Sequence, residues 1–472
     1  MLALRVPSVV VAGAVVGAAL SIAVAASGPV AGLLPLLAVV AVVLVTRPLW
    51  ALAAVVGVNV LFEQDNESLV PGGTWFHDRL AGLPLSPTGL LLGLFAVAVV
   101  VDVGRRRDTW RLPGELTFPL LLLAVAAGAG AVVGLAGGGA SDGVVTGARN
   151  IGYLVAMPFL VVNTVRDERL ARRLLVGGAV LATLKGIEGI ATWVFEAGPS
   201  LEGATITFLD PTPNLLMMLF LLGVLALAVS GSRVARLLPS TAVVLVAFVL
   251  SYRRSFWVAA VVAGLIAIVV ATGRRGRVRL VPWIAVAAGL AVILATGVVG
   301  DVRGPVVERV SSLSPAKLRA TSNDRYRLDE ARNVIAEIRE SPVTGLGFGR
   351  PWAARYPLPE EHASGRDYTH VVALWFWLKT GLLGVAAYVW LMAAAVAASF
   401  HLARRSAAPS IRAAGIAVGA GLIGLVLAET TGAFTGVDAR FDIFLGAVLG
   451  WLAAARQHGL VGLARRPGYP AA

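Results

Sequence analysis

The sequence predicts an all-α fold: a polytopic transmembrane helix bundle of about 12–14 spans, with one large extracytoplasmic loop containing an amphipathic helix. Three observations predict it. Of 472 residues, 57% are hydrophobic and only 14% charged, with a mean hydropathy of +0.82, whereas a soluble domain is nearer ~45–50% apolar. The apolar stretches are uninterrupted rather than alternating, which favours helices over a β-barrel in a medium where the backbone must satisfy itself. Arginine is concentrated in short loops between those stretches, where it sets orientation.

Runs of about 17–25 apolar residues cross a ~30 Å hydrocarbon core. They lie near 9–26, 30–46, 48–62, 87–103, 116–138, 144–163, 174–196, 213–230, 238–252, 256–272, 281–300, 371–399, 411–428 and 441–456. The first ends in Ala-Val-Ala-Ala and resembles a signal peptide, but the spans that follow make a retained first helix the expectation. Arg47, Arg105 to Arg107, Arg166 to Arg173, Arg233, Arg236, Arg274 to Arg279, and Arg404-Arg405 all fall on one side of successive spans. Those loops are expected in the cytoplasm together with both termini. Glu63 to Glu67 and residues 301–369 then face outside. The expected organisation is an N-terminal bundle over 1–300, the extracytoplasmic loop 301–369 and C-terminal helices over 370–472. Inside the loop, Leu328, Ala331, Ile335 and Ile338 recur at helical spacing. Ser322, Asn323 and Asp324 can cap a helix there, and Ser341-Pro342 can stop it.

The net charge of +13 suits these loops, and no aromatic-interleaved basic groove points to nucleic acid. Cysteine is absent, which excludes disulfides, thiolate catalysis and cysteine metal sites.

Several residues break the charge pattern. Arg253 and Arg254, in Ser-Tyr-Arg-Arg-Ser-Phe-Trp, fall at an outer junction between two apolar runs. Either the boundary is misplaced and the side chains snorkel, or the guanidinium forks bind an anionic phosphate or diphosphate there. Arg325 and Arg327 open the loop helix, whose N-terminus itself favours anions; ion pairing with Asp329 or Glu330 is the alternative. His370 lies where the loop meets the next apolar run, at the expected water–membrane boundary. A neutral imidazole there can accept a proton from a hydroxyl, or can serve structure alone. Lys185 and Glu188 stand three apart on one helix, where they can pair or mark a functional site. Asp210-Pro-Thr-Pro-Asn214 reads as an ordered turn before a span. Gly345, Gly347 and Gly349 follow a helix rather than a strand, so they read as a tight loop and not a dinucleotide fingerprint.

Together these residues resemble the O-antigen ligase and polymerase family of bacterial membrane glycosyltransferases. Arg327 leads a loop helix through Ala331 and Ile338 to Pro342-Val-Thr-Gly345-Leu-Gly347-Phe-Gly349, and His370 leads to Gly381-Leu-Leu-Gly384. Ser251-Tyr-Arg253-Arg254-Ser255 matches the family's arginine at an outer helix junction, and Pro213-Asn214 its turn before a span. The motifs cover about residues 205–385; where family members commonly have asparagine after the histidine, this chain has Val371. The resemblance implies inverting, metal-independent and cofactor-free transfer of a glycan from a polyprenyl-diphosphate carrier to a glycan, lipid or protein acceptor at the outer face of the cytoplasmic membrane. It implies His370 as catalytic base, with Arg253, Arg254, Arg327 and Arg325 binding the diphosphate. Lys185, Glu188, Asp210 and Asn214 are secondary candidates. The competing expectation is a secondary transporter or lipid-linked oligosaccharide flippase, which would give Lys185 and Glu188 the leading part.

Overall fold

The computed structural model describes residues 33–62, 86–197, 210–251, 253–272, 322–358 and 366–464. The expected spans near 9–26 and 281–300, the acidic stretch Glu63 to Glu67 and the loop before residue 322 lie outside the described residues. Among those described, every regular element is helical. In chain order these are α1 (Leu33–Thr46), α2 (Pro48–Leu61), α3 (Pro87–Arg106), α4 (Thr117–Ala136), α5 (Ser141–Thr164), α6 (Glu168–Thr192) and α7 (Pro211–Val229). There follow α8 (Leu238–Leu250), α9 (Arg254–Thr272), α10 (Ser322–Glu340), α11 (Val372–Arg405), α12 (Pro409–Ala428) and α13 (Ala439–Ala464). Eight helical stretches among the described residues are long and apolar enough to cross a membrane, or nine if α1 and α2 count as one bent span. The protein is a multi-pass membrane protein.

Local chemistry sets many of the boundaries. Proline stands in the first turn of α2, α3, α7, α8 and α12, where its missing N–H costs nothing and its fixed φ suits helix entry. Ser86 caps α3 by accepting from the Gly89 N–H at 3.2 Å, and Asp167 caps α6 by accepting from Leu170 at 2.7 Å. The runs expected as spans over 30–46 and 48–62 meet at Arg47 with a bend of 119°. Pro48 pushes the preceding residue out of the helical region. At 14 residues, α2 reaches only about 21 Å, short of the ~30 Å core.

The chain divides into two compact units. The first, Met1–Val55 and Trp75–Trp110, contains the α1–α3 packing; there Asp102 pairs with Arg106 at 2.7 Å. The second, Val56–Thr74 and Arg111–Ala472, is built around α12, which packs on α7, α9 and α11, while α13 lies along α5. Gly446 and Gly450, four apart on α13, lie so close to Met157, Pro158 and Val161 of α5 that a Cβ at either would clash. This is the small-residue contact by which helices associate in lipid, where water supplies no hydrophobic drive between them.

The second unit has two chemically distinct ends. At one, Asn163 exchanges hydrogen bonds with the Arg111 backbone at 2.9 Å, Gln457 donates to Leu112 O at 2.7 Å, and Arg456 pairs with Glu115. At the other, Ala140 N–H donates to Gly349 O at 2.9 Å and Asn150 Nδ2 to Val437 O at 2.6 Å. His370 belongs to this second end, at the head of α11.

The run expected as one span over 371–399 is broken inside α11. Gly381 has φ 66° and ψ −165°, a region open essentially only to glycine, and a Cβ there would sit 2.0 Å from Val343 O. The break lets the Gly345–Gly349 loop insert: Leu346 N–H donates to Leu378 O at 2.6 Å and Leu382 N–H to Val343 O at 3.1 Å. As the sequence leads one to expect, that loop is tight, with positive φ at Gly345, Gly347 and Gly349. Gly381→Ala is predicted to cost at least about 3 kcal/mol and to lower the thermal midpoint of detergent-purified protein. Gly93→Ala, on α3 with open space at its Cβ, should leave the midpoint unchanged or slightly raised in the same assay.

Candidate functional site

The site begins with α10, Ser322–Glu340. A helix over 325–340 is present as expected, but its buried face is not the expected apolar stripe. Leu328 and Ile335 are exposed, while Tyr326, Glu330, Asn333, Val334 and Ile338 are buried. Two polar residues therefore replace two apolar ones on the packed face, which is stable only if each is hydrogen-bonded. Asn333 Oδ1 accepts from Arg355 N–H and Tyr356 N–H, both at 2.7 Å, and its Nδ2 donates to Tyr356 O at 3.1 Å. Val334 and Ile338 pack with Leu346, Trp352 and Leu378 in one cluster. Trp352 Nε1 donates to Tyr368 O at 2.9 Å, and Trp352 N–H to Arg366 O at 3.1 Å. The segment leading to His370 is thus pinned to the loop after α10.

Glu330 occupies the centre. Its side chain is 0% exposed and its carboxylate gathers four donors. These are Tyr326 Oη at 3.3 Å, Thr369 Oγ1 at 3.2 Å, His370 N–H at 2.9 Å and His370 Nδ1 at 3.0 Å. An ionised carboxylate can only accept, so Nδ1 carries a proton, and in the neutral imidazole it is Nε2 that keeps its lone pair. Nε2 lies 3.3 Å from Tyr368 Oη. The Tyr326 ring meets the imidazole edge-on at 5.9 Å and Tyr368 lies tilted at 5.1 Å, so rotation of His370 is restricted on several sides. Burial first, and then the Glu330 charge, push the Tyr326 and Tyr368 hydroxyls above the usual phenol range. The Arg327 charge acts on Tyr368 in the opposite sense. Chemically, the group is an imidazole with one ring nitrogen held by a carboxylate and the other beside a phenol hydroxyl.

A second charged group forms where α7, α9 and α13 begin. Asp210 pairs with Arg440 through one carboxylate oxygen, while its other oxygen lies 3.9 Å from Arg253. Arg440 also pairs with Asp438 at 2.9 Å. Asn214 Nδ2 donates to Asp210 O at 3.0 Å, closing the turn the sequence predicts before α7. Arg254 opens α9 and is partly exposed.

The turn between α12 and α13 joins the two groups. Phe434 stacks on Phe256 of α9 with ring centroids 5.5 Å apart. Val372 N–H, at the head of α11, donates to Glu429 O at 3.1 Å, and Tyr388 of α11 donates to the Glu429 carboxylate. Phe256, three residues after Arg253, and Val372, two residues after His370, are therefore both held by one short turn.

Other expected residues stand elsewhere. Arg325 has a side chain 78% exposed and lies 4.0 Å from Asp329, so it is not brought into the His370 group. Lys185 and Glu188 pair at 3.0 Å, and Lys185 Nζ also donates to Leu61 O at 3.2 Å. Sequence reasoning missed Glu330 as the partner of His370, and it missed Arg440. A signal for Arg440 was present, since Asp438-Ala-Arg440-Phe-Asp442 places three charges at the head of an apolar run, where each must find a partner.

Residues 217–389 match the family model described as O-Antigen ligase. The matched stretch runs from within α7 into α11 and contains Arg253, Arg254, Arg327, Glu330 and His370. No curated protein matches the chain. Over that stretch the protein is similar to the O-antigen ligase family, the family its motifs resemble.

Proposed function

We propose that the protein transfers a glycan from a polyprenyl-diphosphate carrier to an acceptor hydroxyl on the outer face of the cytoplasmic membrane, as a polysaccharide ligase or repeat-unit polymerase. The observation that carries the reading is the His370–Glu330 pair, a tautomer-fixed imidazole held by a fully buried carboxylate. Similarity to the O-antigen ligase family supports glycosyl transfer as its use. The orientation rests on the two ends of the second unit. Arg111, Arg166 and Arg456 gather at one, which the excess of arginine in cytoplasmic loops assigns to the inside, and His370 lies at the other.

In the proposed reaction the acceptor oxygen attacks the anomeric carbon as His370 Nε2 takes its proton. The carbon–oxygen bond to the diphosphate breaks, and the electron pair leaves with the carrier. One displacement inverts the anomeric configuration. Glu330 stabilises the imidazolium that forms and keeps Nε2 aimed outward, the role a carboxylate serves behind a catalytic histidine. Arg327, Arg253 and Arg254 stabilise the charge that develops on the departing diphosphate. Arg327 is preferred to Arg325, which points into solvent. With fixed cations performing that task, transfer is expected to proceed in EDTA.

His370→Ala is predicted to lower kcat by about 10³-fold or more while the protein still inserts and folds. Glu330→Gln keeps the shape but removes the charge that stabilises imidazolium, so kcat should fall about 10²-fold with KM for the donor nearly unchanged. Transfer of labelled glycan by purified protein in detergent measures both; full activity of His370→Ala would sink the mechanism. Asp210→Ala strips Arg440 of one partner inside a buried network and is predicted to destabilise by about 3–5 kcal/mol, read as thermal midpoint. Arg253→Gln, with the longer contact, is predicted instead to raise the KM for the diphosphate-linked donor while leaving the midpoint near that of wild type.

A further inference from the structure

At the same end of the second unit as the His370 group, and using none of its residues, lies a half-enclosed cavity of about 240 Å³. Ala140, Gly143 and Asp367 line its exposed mouth, and Asn150, Trp375 and Lys379 are buried within it. Two of the buried groups are polar and incompletely used. Asn150 is 3% exposed, and while its Nδ2 donates to Val437 O, its Oδ1 has no hydrogen-bond partner. Lys379 is 2% exposed and its Nζ donates to Arg350 O at 2.6 Å; an ammonium has three N–H donors, so two remain. A buried polar atom left unpaired costs on the order of 1–3 kcal/mol. Here an acceptor and a donor of that kind face the same space.

That combination selects the ligand. A free anion would be drawn by Lys379 but repelled by Asn150 Oδ1 and the Asp367 carboxylate, and a lipid chain would leave the polar groups unsatisfied. A polyol satisfies all three, because each hydroxyl both donates and accepts. Phe348 and Trp375, with ring centroids 5.9 Å apart, supply apolar walls for the C–H faces of a ring. A cavity of about 150 Å³ accepts one six-membered carbon ring, so the larger volume here admits one such ring with its hydroxyl groups. The position agrees: Asp367 and Trp375 flank His370 in the chain on either side.

We infer that this cavity is a pyranose subsite, which holds one sugar ring of the glycan while His370, at the same end of the unit, acts on that glycan. The inference rests on the glycosyl-transfer reading for its purpose, though not for its chemistry. A subsite on the donor and one on the acceptor glycan would present the same groups. Kinetics separate them, since a cavity variant raises KM only for the substrate whose ring it holds.

The test is saturation-transfer NMR on the purified full chain in detergent with methyl glycosides of glucose, galactose, mannose and N-acetylglucosamine, none of which carries a diphosphate. At least one should receive saturation from the wild type. Asn150→Ala should weaken that binding about tenfold, the effect of one lost hydrogen bond. Ala140→Trp, which plugs the mouth and leaves the buried groups in place, should abolish it. His370→Ala should bind as the wild type does, which separates the subsite from the catalytic proposal. Binding that persists in a protein inactive with every donor would uphold the subsite and count against glycosyl transfer. No binding of any glycoside to the wild type, or binding unaltered in both Asn150→Ala and folded Ala140→Trp, would overturn the subsite.

Discussion

The candidate site depends on one buried carboxylate. Glu330 has no exposed surface, and placing a charge there is costly unless hydrogen bonds replace the water it loses. The replacement comes from two directions. Tyr326 belongs to Glu330's own helix, whereas Thr369 and His370 come from the start of the next span. Neither half is satisfied alone. Docking of α10 and orientation of His370 are therefore one event, and the packed face of the helix follows from it. Leu328 turns away because the inward positions belong to side chains that must reach Glu330's neighbours or, through Asn333, the backbone at Arg355 and Tyr356.

The same logic extends outward through backbone breaks. For His370 to meet Glu330, α11 must begin beneath the loop that follows α10, and the loop needs somewhere to enter. Gly381 provides it by interrupting the helix at a conformation no side chain tolerates easily. The broken α11 is then held at its head by Glu429 O and farther along by the Glu429 carboxylate on Tyr388. From Glu429 the turn runs to Phe434, against α9, and on to Asp438 and Arg440. The His370 imidazole and the arginines of the second charged group so acquire a fixed relation without a continuous element between them.

How much of this is legible in the sequence depends on the range of the interaction. Apolar runs locate most of the spans, because lipid imposes its requirement residue by residue. His370 stands out by its place at a boundary, Arg253 by its charge on an unexpected side, and the Gly345–Gly349 loop by its spacing. Glu330 is hidden, since its partner is 40 positions away and its nearest charged neighbours suggest an ordinary ion pair with Arg325. Arg440 reaches Asp210 across 230 positions, a contact that no periodicity encodes. The bend at Arg47 was available from Pro48, but hydropathy reads both halves as equally apolar. Helical spacing in α10 misleads for a related reason: the period is right, while the phase is set by polar partners that lie elsewhere in the chain.

These contacts also explain how so many charges can be held at the rim of an apolar bundle. Asp210 and Asp438 surround Arg440, so this buried guanidinium has two carboxylates, whereas Arg253 lies 3.9 Å from Asp210. The tight pairs fix the geometry, and Arg253 lies beside an aspartate whose charge is already answered by Arg440. His370 follows the same division: Glu330 holds Nδ1 from the buried side, and Nε2 faces the open one. In each group the interior partner absorbs the cost of order and the outward group is presented at a set angle. Catalysis by a preorganised field requires this division, because dipoles and charges arranged during folding need not be rearranged when charge moves in the reaction.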